Sequence, residues 1–213
     1  MANTPIHSGA TRILGLDPGL RRTGWGVVVS EGSRLSWVAH GVVSPPDTLP
    51  LSERLLWLLD EVGEVCAAHA CDEAAIEEVF VNVNPASTLK LGHARAAVML
   101  APARAGLSVA EYSPNLIKKA VVGAGHADKT QITFMVKRLL PTCGEVKADA
   151  ADALAVAITH AQLRRSSRRD GGGEVIAEFG AGNLDDNGRT RPLRHSASLR
   201  ATSPFASRTG RRS

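Results

Sequence analysis

The run Ile13-Leu-Gly-Leu-Asp17-Pro-Gly-Leu-Arg-Arg-Thr-Gly-Trp-Gly-Val-Val28 constrains this chain more than any other segment. Ile13 to Leu16 reads as a buried strand, and Asp17 ends it with a charge. A buried carboxylate is costly unless it meets a cation or hydrogen-bond donors. Gly19, Gly24 and Gly26 then permit a tight return and a close approach of backbone or ligand. An aspartate opening a turn before Pro18 and Gly19 would by itself account for Asp17. Acids in matching settings elsewhere in the chain argue for more.

Two further segments supply those acids. Ala74-Ala-Ile-Glu77-Glu78-Val-Phe80 is a short apolar run ending in carboxylates, and Ala148-Asp149-Ala-Ala-Asp152-Ala-Leu-Ala-Val-Ala-Ile158 is an alanine-rich helical run with two more. Asp149 and Asp152 share one helix face, roughly 5 to 6 Å apart, and the alanines let that helix lie close to a sheet. Like charges held together raise one another's pKa unless a cation neutralises them. Oxygen-only donors select Mg²⁺ or Mn²⁺ over zinc. Two such ions can activate a water and stabilise a leaving oxygen in phosphodiester cleavage. Glu77 and Glu78 point to opposite faces of a strand, so only one of them can join the site. Position alone does not choose between them.

Periodicity supplies the frame. Ile13 to Leu16, Gly24 to Ser30 and Leu35 to Val43 read as an antiparallel meander that Pro45-Pro46 ends. Leu51, Leu55, Leu58, Leu59, Val62 and Val65 form the stripe of a helix covering that sheet. Ala74 to Glu77 is a fourth strand, Ala86 to Ala105 a long helix and Leu107 to Tyr112 a fifth strand. Ser113-Pro114 opens another helix. Asp128 with Gln131 resembles a capping box before Ile132, Met135, Val136 and Leu139, and the last helix starts at Asp149. The order is that of an α/β domain, a mixed five-stranded sheet flanked by helices.

Five strings, in order over roughly residues 13 to 162, resemble the RuvC family of crossover junction endodeoxyribonucleases. They are Leu-Gly-Leu-Asp-Pro-Gly with Thr-Gly-Trp-Gly, Ile-Glu-Glu-Val-Phe, Leu-Lys-Leu-Gly-His-Ala-Arg, Val-Val-Gly-Ala-Gly with Ala-Asp-Lys, and Ala-Asp-Ala-Ala-Asp-Ala-Leu-Ala. The resemblance implies a ribonuclease H-like fold, a homodimer, Mg²⁺ dependence and paired nicking of Holliday junctions in recombination and repair. It matches Glu77 over Glu78, and it implies that Asp17, Glu77, Asp149 and Asp152 are the metal ligands. Two Mg²⁺ ions per subunit are expected, with Mn²⁺ as a substitute, Asp17 between them, and 5′-phosphate and 3′-hydroxyl products. The RuvA and RuvB branch-migration proteins are the partners it implies. Two positions depart from the pattern: Leu20, where a small polar residue is common, and Ala96, where glycine is usual.

Charge divides the chain into parts. Residues 1–163 hold 14 Lys and Arg against 16 Asp and Glu, whereas residues 164–213 hold 11 Arg against 5 acids. A core of net −2 must meet DNA through a local cationic patch and not through its overall field. Residues 1–11 read as a short extension, 12–165 as the nuclease domain, and 166–213 as a basic disordered tail. That tail either touches phosphates or only solubilises. Cys66, Cys71 and Cys143 show no Cys-x-x-Cys and fit reduced cytosolic thiols. Cys66, His69 and Cys71 lack an evident fourth zinc ligand. No long apolar run or signal-peptide core points to a membrane, and the expected location is the cytoplasm.

The remaining candidates are single residues. Lys129 and Lys118 match family positions that are basic and implied in catalysis or phosphate contact, and Arg21 is a further phosphate candidate in the return after Asp17. Phe80 reads as a base-stacking wedge or as core packing. His126 has a possible phosphate contact without motif support. His160 lies on the Asp149 face but roughly 16 Å along the helix, which favours a structural role. An actin-like ATPase shares the Asp17 turn but needs a second domain for which this chain leaves no room. Two rivals stand closer: a nuclease for other branched nucleic acids, and a non-catalytic junction binder, against which the intact acid set argues.

Overall fold

The computed structural model describes residues 9–79, 84–125 and 127–169, with side chains to Arg164. Three antiparallel strands come first: β1 (Ala10–Asp17), β2 (Thr23–Glu31) and β3 (Arg34–Val43). Helix α1 (Leu51–Ala68) leads to β4 (Glu73–Glu77), α2 (Pro85–Arg104) to β5 (Ser108–Tyr112), and then come α3 (Pro114–Val122), α4 (Lys129–Leu139) and α5 (Ala148–Arg169). The sheet order is β3-β2-β1-β4-β5. β1 pairs antiparallel with β2 and parallel with β4, which pairs parallel with β5. This is the mixed five-stranded α/β sheet read from the sequence, with the ribonuclease H-like order.

Strand parity splits the core in two. Ile13, Val28 and Ala75 face α3, α4 and α5, while Leu14, Leu16, Val27, Ala74 and Ile76 face α1 and α2. Successive side chains alternate, so Asp17 at the end of β1 and Glu77 at the end of β4 lie on the α5 face. Glu73, at the start of β4, shares that face.

Local chemistry sets the helix starts. Asn84 caps α2 by accepting from the Ala86 and Ser87 amides at 3.0 and 3.3 Å. Ser113 caps α3, whose first residue is Pro114. The capping box of Asp128 and Gln131 opens α4, with bonds of 2.8 and 3.0 Å. The last helix runs on past Arg165 to Arg169; the rest of the expected tail, with residues 1–8, lies outside the described residues.

Candidate carboxylate active site

The site is built by letting α5 approach the sheet closely. An added Cβ at Gly15 would stand 2.1 Å from the Ala153 carbonyl oxygen, one at Gly24 would stand 1.9 Å from that of Asp149, and one at Gly26 would stand 2.5 Å from the Leu154 side chain. Gly15 pairs with Gly26 across β1 and β2. The glycines therefore form a smooth patch on which the alanine-rich helix rests, and the start of α5 comes against the end of β1. Gly24 and Gly26 thus serve packing. Gly19 serves the turn, since a Cβ there would meet the Arg22 carbonyl oxygen at 2.3 Å.

Four carboxylates meet in one electrostatic field. The β1 to β4 register ends with Leu16 opposite Ile76, so the next residues, Asp17 and Glu77, are neighbours. Burial, then the charges of Glu77 and Asp152, with a smaller push from Asp149, raise the Asp17 carboxyl to about 8 against the pull of Lys129. Burial and Asp152 also raise Glu77, opposed by Lys129, Lys118 and a hydrogen bond from Asp17. The two carboxyls share a hydrogen bond at the adjacent ends of β1 and β4.

Cations border the acids. Lys129 Nζ lies 3.2 Å from Asp152 Oδ2, and Asp152 with this bond holds the lysine above its ordinary range. Arg22 Nε lies 3.2 Å from Asp149 Oδ2. Arg95, on α2, donates from Nε to the Glu77 carbonyl at 3.2 Å and pairs with Glu111, fixing the end of β4 from behind. The turn after Asp17 is braced as well: the Thr23 hydroxyl donates to the Gly19 carbonyl at 2.8 Å, and Arg54 donates to that of Leu20 at 2.9 Å. Leu20 packs inward on the α1 and α2 side.

The structure thus brings Asp17, Glu77, Asp149, Asp152 and Lys129 together, with Lys118 within the field of Glu77. Arg21 is exposed in the same turn. Phe80 and His126 lie outside the described residues. Sequence reasoning did not single out Arg22 or Arg95. Arg95 belongs to one of the five family strings, but only the paths of α2 and β4 reveal its contact. Among the described residues, no group of three or more His, Cys, Asp or Glu side chains is drawn together closely enough to hold an ion. The zinc reading of Cys66, His69 and Cys71 gains nothing: the His69 ring packs against Trp25 at 5.5 Å, and burial pushes both thiols up, to about 11 and about 12.

His160 belongs to a separate cluster. Its Nε2 is 2.9 Å from Glu73 Oε2 and its Nδ1 is 2.7 Å from the Tyr112 hydroxyl, while Arg164 pairs with the other Glu73 oxygen at 2.6 Å. Glu73 precedes Glu77 by four residues, about 13 Å of strand. The expected structural role of His160 agrees with this arrangement.

Comparison with known proteins identifies the frame. The family model described as crossover junction endodeoxyribonuclease RuvC matches residues 13–160. A protein of that name from Caulobacter vibrioides is 65% identical over 159 residues, covering 75% of this chain and 94% of the relative. Another from Rhodopseudomonas palustris is 65% identical over 158 residues, covering 74% and 91%. The structure of Thermus thermophilus RuvC in complex with Holliday junction substrate matches at a TM-score of 0.69 and 33% identity, covering 74% of this chain and 96% of that one. No described helix is long and apolar enough to cross a membrane. With its fold, motif order and relatives in agreement, the chain belongs to the RuvC family of crossover junction endodeoxyribonucleases.

Proposed function

We propose that this chain resolves Holliday junctions in recombination and repair, nicking symmetrically placed strands to leave 5′-phosphate and 3′-hydroxyl ends. The observation that carries the mechanism is the convergence of Asp17 and Glu77, at the adjacent ends of β1 and β4, with Asp149 and Asp152 at the start of α5; burial and the other three acids raise the Asp17 carboxyl to about 8. Such an acid excess is relieved by hard divalent cations, and the all-oxygen donor set suits Mg²⁺, with Mn²⁺ as a substitute. Asp17, Glu77, Asp149 and Asp152 would hold two ions per subunit. Bound there, the ions would supply the positive charge that activates a water and stabilises the leaving oxygen.

The remaining chemistry is the chain's own. Lys129 is a point cation beside Asp152, suited to charge developing on the phosphoryl oxygens. Lys118 and Arg21 are assigned to backbone phosphates and Phe80 to stacking on an unpaired base. One site cuts one strand, so paired cuts call for a two-fold homodimer. An exposed stripe on α2 supports that state: Leu89 and Leu100 are 62% and 58% exposed, with Ala96 between them. The same reading implies action in the cytoplasm alongside RuvA and RuvB.

The test is a gel assay of purified protein on synthetic four-way, three-way and linear DNA, with and without Mg²⁺. Paired symmetrical nicks confined to the four-way substrate and dependent on the ion are expected. Equal cutting of three-way DNA would indicate a nuclease for branched nucleic acids in general, and junction binding without cutting would indicate a non-catalytic binder.

A further inference from the structure

Two of the carboxylates have side-chain counter-ions of their own. Lys129 stands against Asp152, and Arg22 stands against Asp149 in the turn that follows Asp17. Arg22 is 68% exposed along its side chain, whereas Asp149 is 24% exposed. The acid is held in place by the helix and the glycine patch, and the arginine reaches in from solvent. The arginine is therefore the more easily displaced member of the pair.

We propose that Arg22 is a resident counter-ion for Asp149 that gives way when a divalent cation enters. The proposal rests on the metal reading of the carboxylates. Both cations seek the same acid, so the pair competes with the ion. It limits repulsion among the acids of the ion-free protein and weakens metal affinity by the strength of the pair. Exposed pairs are weak, so the expected penalty on affinity is about two- to fivefold. Lysine at this position retains the charge but loses the planar guanidinium that reaches Asp149 through Nε.

Mn²⁺ binding to the full-length protein without DNA, followed by titration calorimetry, tests the proposal, with Arg22→Met, Arg22→Lys and Arg21→Met compared to wild type. Arg21→Met removes the same charge from the same turn and serves as the control for net field. Arg22→Met should bind Mn²⁺ about two- to fivefold tighter than wild type, Arg22→Lys should fall between, and Arg21→Met should change little. In EDTA, Arg22→Met should melt below wild type, and Mn²⁺ should raise its melting temperature by more. Equal affinity of Arg22→Met and wild type overturns the proposal. An equal gain in both methionine variants overturns it too, since the effect would then belong to net charge. Failure of the wild-type protein to bind Mn²⁺ at all would instead overturn the metal reading on which the proposal rests.

Discussion

Alanine at Gly24 tests how the carboxylates are held together. Its Cβ would stand 1.9 Å from the Asp149 carbonyl oxygen and 2.4 Å from the carbonyl carbon, where ordinary contact begins near 3.4 Å. Helix backbone cannot rotate aside as a side chain can, so α5 and β2 must part by about 1.5 Å or strain elsewhere. Overpacking costs about 1 to 3 kcal/mol, and a clash with backbone belongs at the top of that range. At about 2 to 4 °C per kcal/mol for a domain of this size, Gly24→Ala should melt about 6 to 12 °C below wild type. The same displacement carries Asp149 away from Asp17, and a misplacement of about 1 Å costs about 10²-fold in rate. Nicking should be measured well below both melting temperatures, so that the loss reports geometry and not unfolding. Gly63→Ala is the control: it lies within α1 and its added Cβ would meet only the end of the Arg104 side chain, at 3.3 Å. It should gain about 0.5 to 1 kcal/mol and keep full activity. A Gly24→Ala protein that melts and nicks like wild type would refute the close seating of α5 on β2.

Other substitutions separate chemistry, binding and stability. Asp17→Asn should abolish nicking but retain junction binding; Glu77→Gln should be inactive and Glu78→Gln nearly silent, and the reverse result in a junction-nicking assay would mean that the other face of the strand carries the ligand. The folded pKa of Asp17, about 8, is above its ordinary 3.8, so its ionisation opposes folding as pH rises through that interval. Melting in EDTA should therefore show Asp17→Asn gaining on wild type from about pH 4 to pH 8. For Glu73, burial alone would raise the carboxyl, but bonds and charge from His160 and Arg164 hold it below its ordinary 4.5. Its contribution is full above that value and lost as pH falls through the folded pKa, so the gap in melting temperature between wild type and Glu73→Gln should close in acid. Phe80→Ala should weaken junction binding by about 1 to 3 kcal/mol with unchanged melting if the ring stacks on a base; a core ring would instead lose about 3 to 5 kcal/mol of folding stability. Truncation after Arg169 should preserve junction preference while lowering the salt slope of log affinity by about 0.9 for each phosphate that the tail had neutralised, and an unchanged slope would leave the tail a solubilising role.

The elements were legible where a local rule forces them. The Asp128 and Gln131 box starts α4 through its own two bonds, and Pro114 after Ser113 starts α3 wherever the rest of the chain goes. Asp17 and Glu77 stood out because a charge closing an apolar strand is costly wherever that strand lies, and Asp149 and Asp152 because they share a helix face. What sequence does not carry is which distant backbone comes close. Gly15 reads as one more strand residue until α5 lies across it. Arg21 and Arg22 are equivalent as adjacent arginines, and only the course of the turn decides that Arg22 reaches Asp149. His160 was separated from the acids by helix length, yet its partners Glu73 and Tyr112 come from two other strands.

The contrast along β4 separates an acid that the fold has neutralised from the one assigned to catalysis in the proposed mechanism. Glu73 and Glu77 lie on one face of one strand, and both meet residues of α5. Glu73 is closed in by Arg164, His160 and, through the histidine, Tyr112; its pKa is lowered, and ionisation favours the fold. Glu77 is raised by burial and then by the charge of Asp152, which Lys129, Lys118 and the hydrogen bond from Asp17 only partly offset, so its ionisation strains the fold. Both acids are partly buried, so exposure does not account for the opposite shifts. Partner charge separates them. Carboxylates whose ionisation strains the fold cost stability in the free protein, and on the proposed metal reading that stored repulsion would become affinity for a divalent cation.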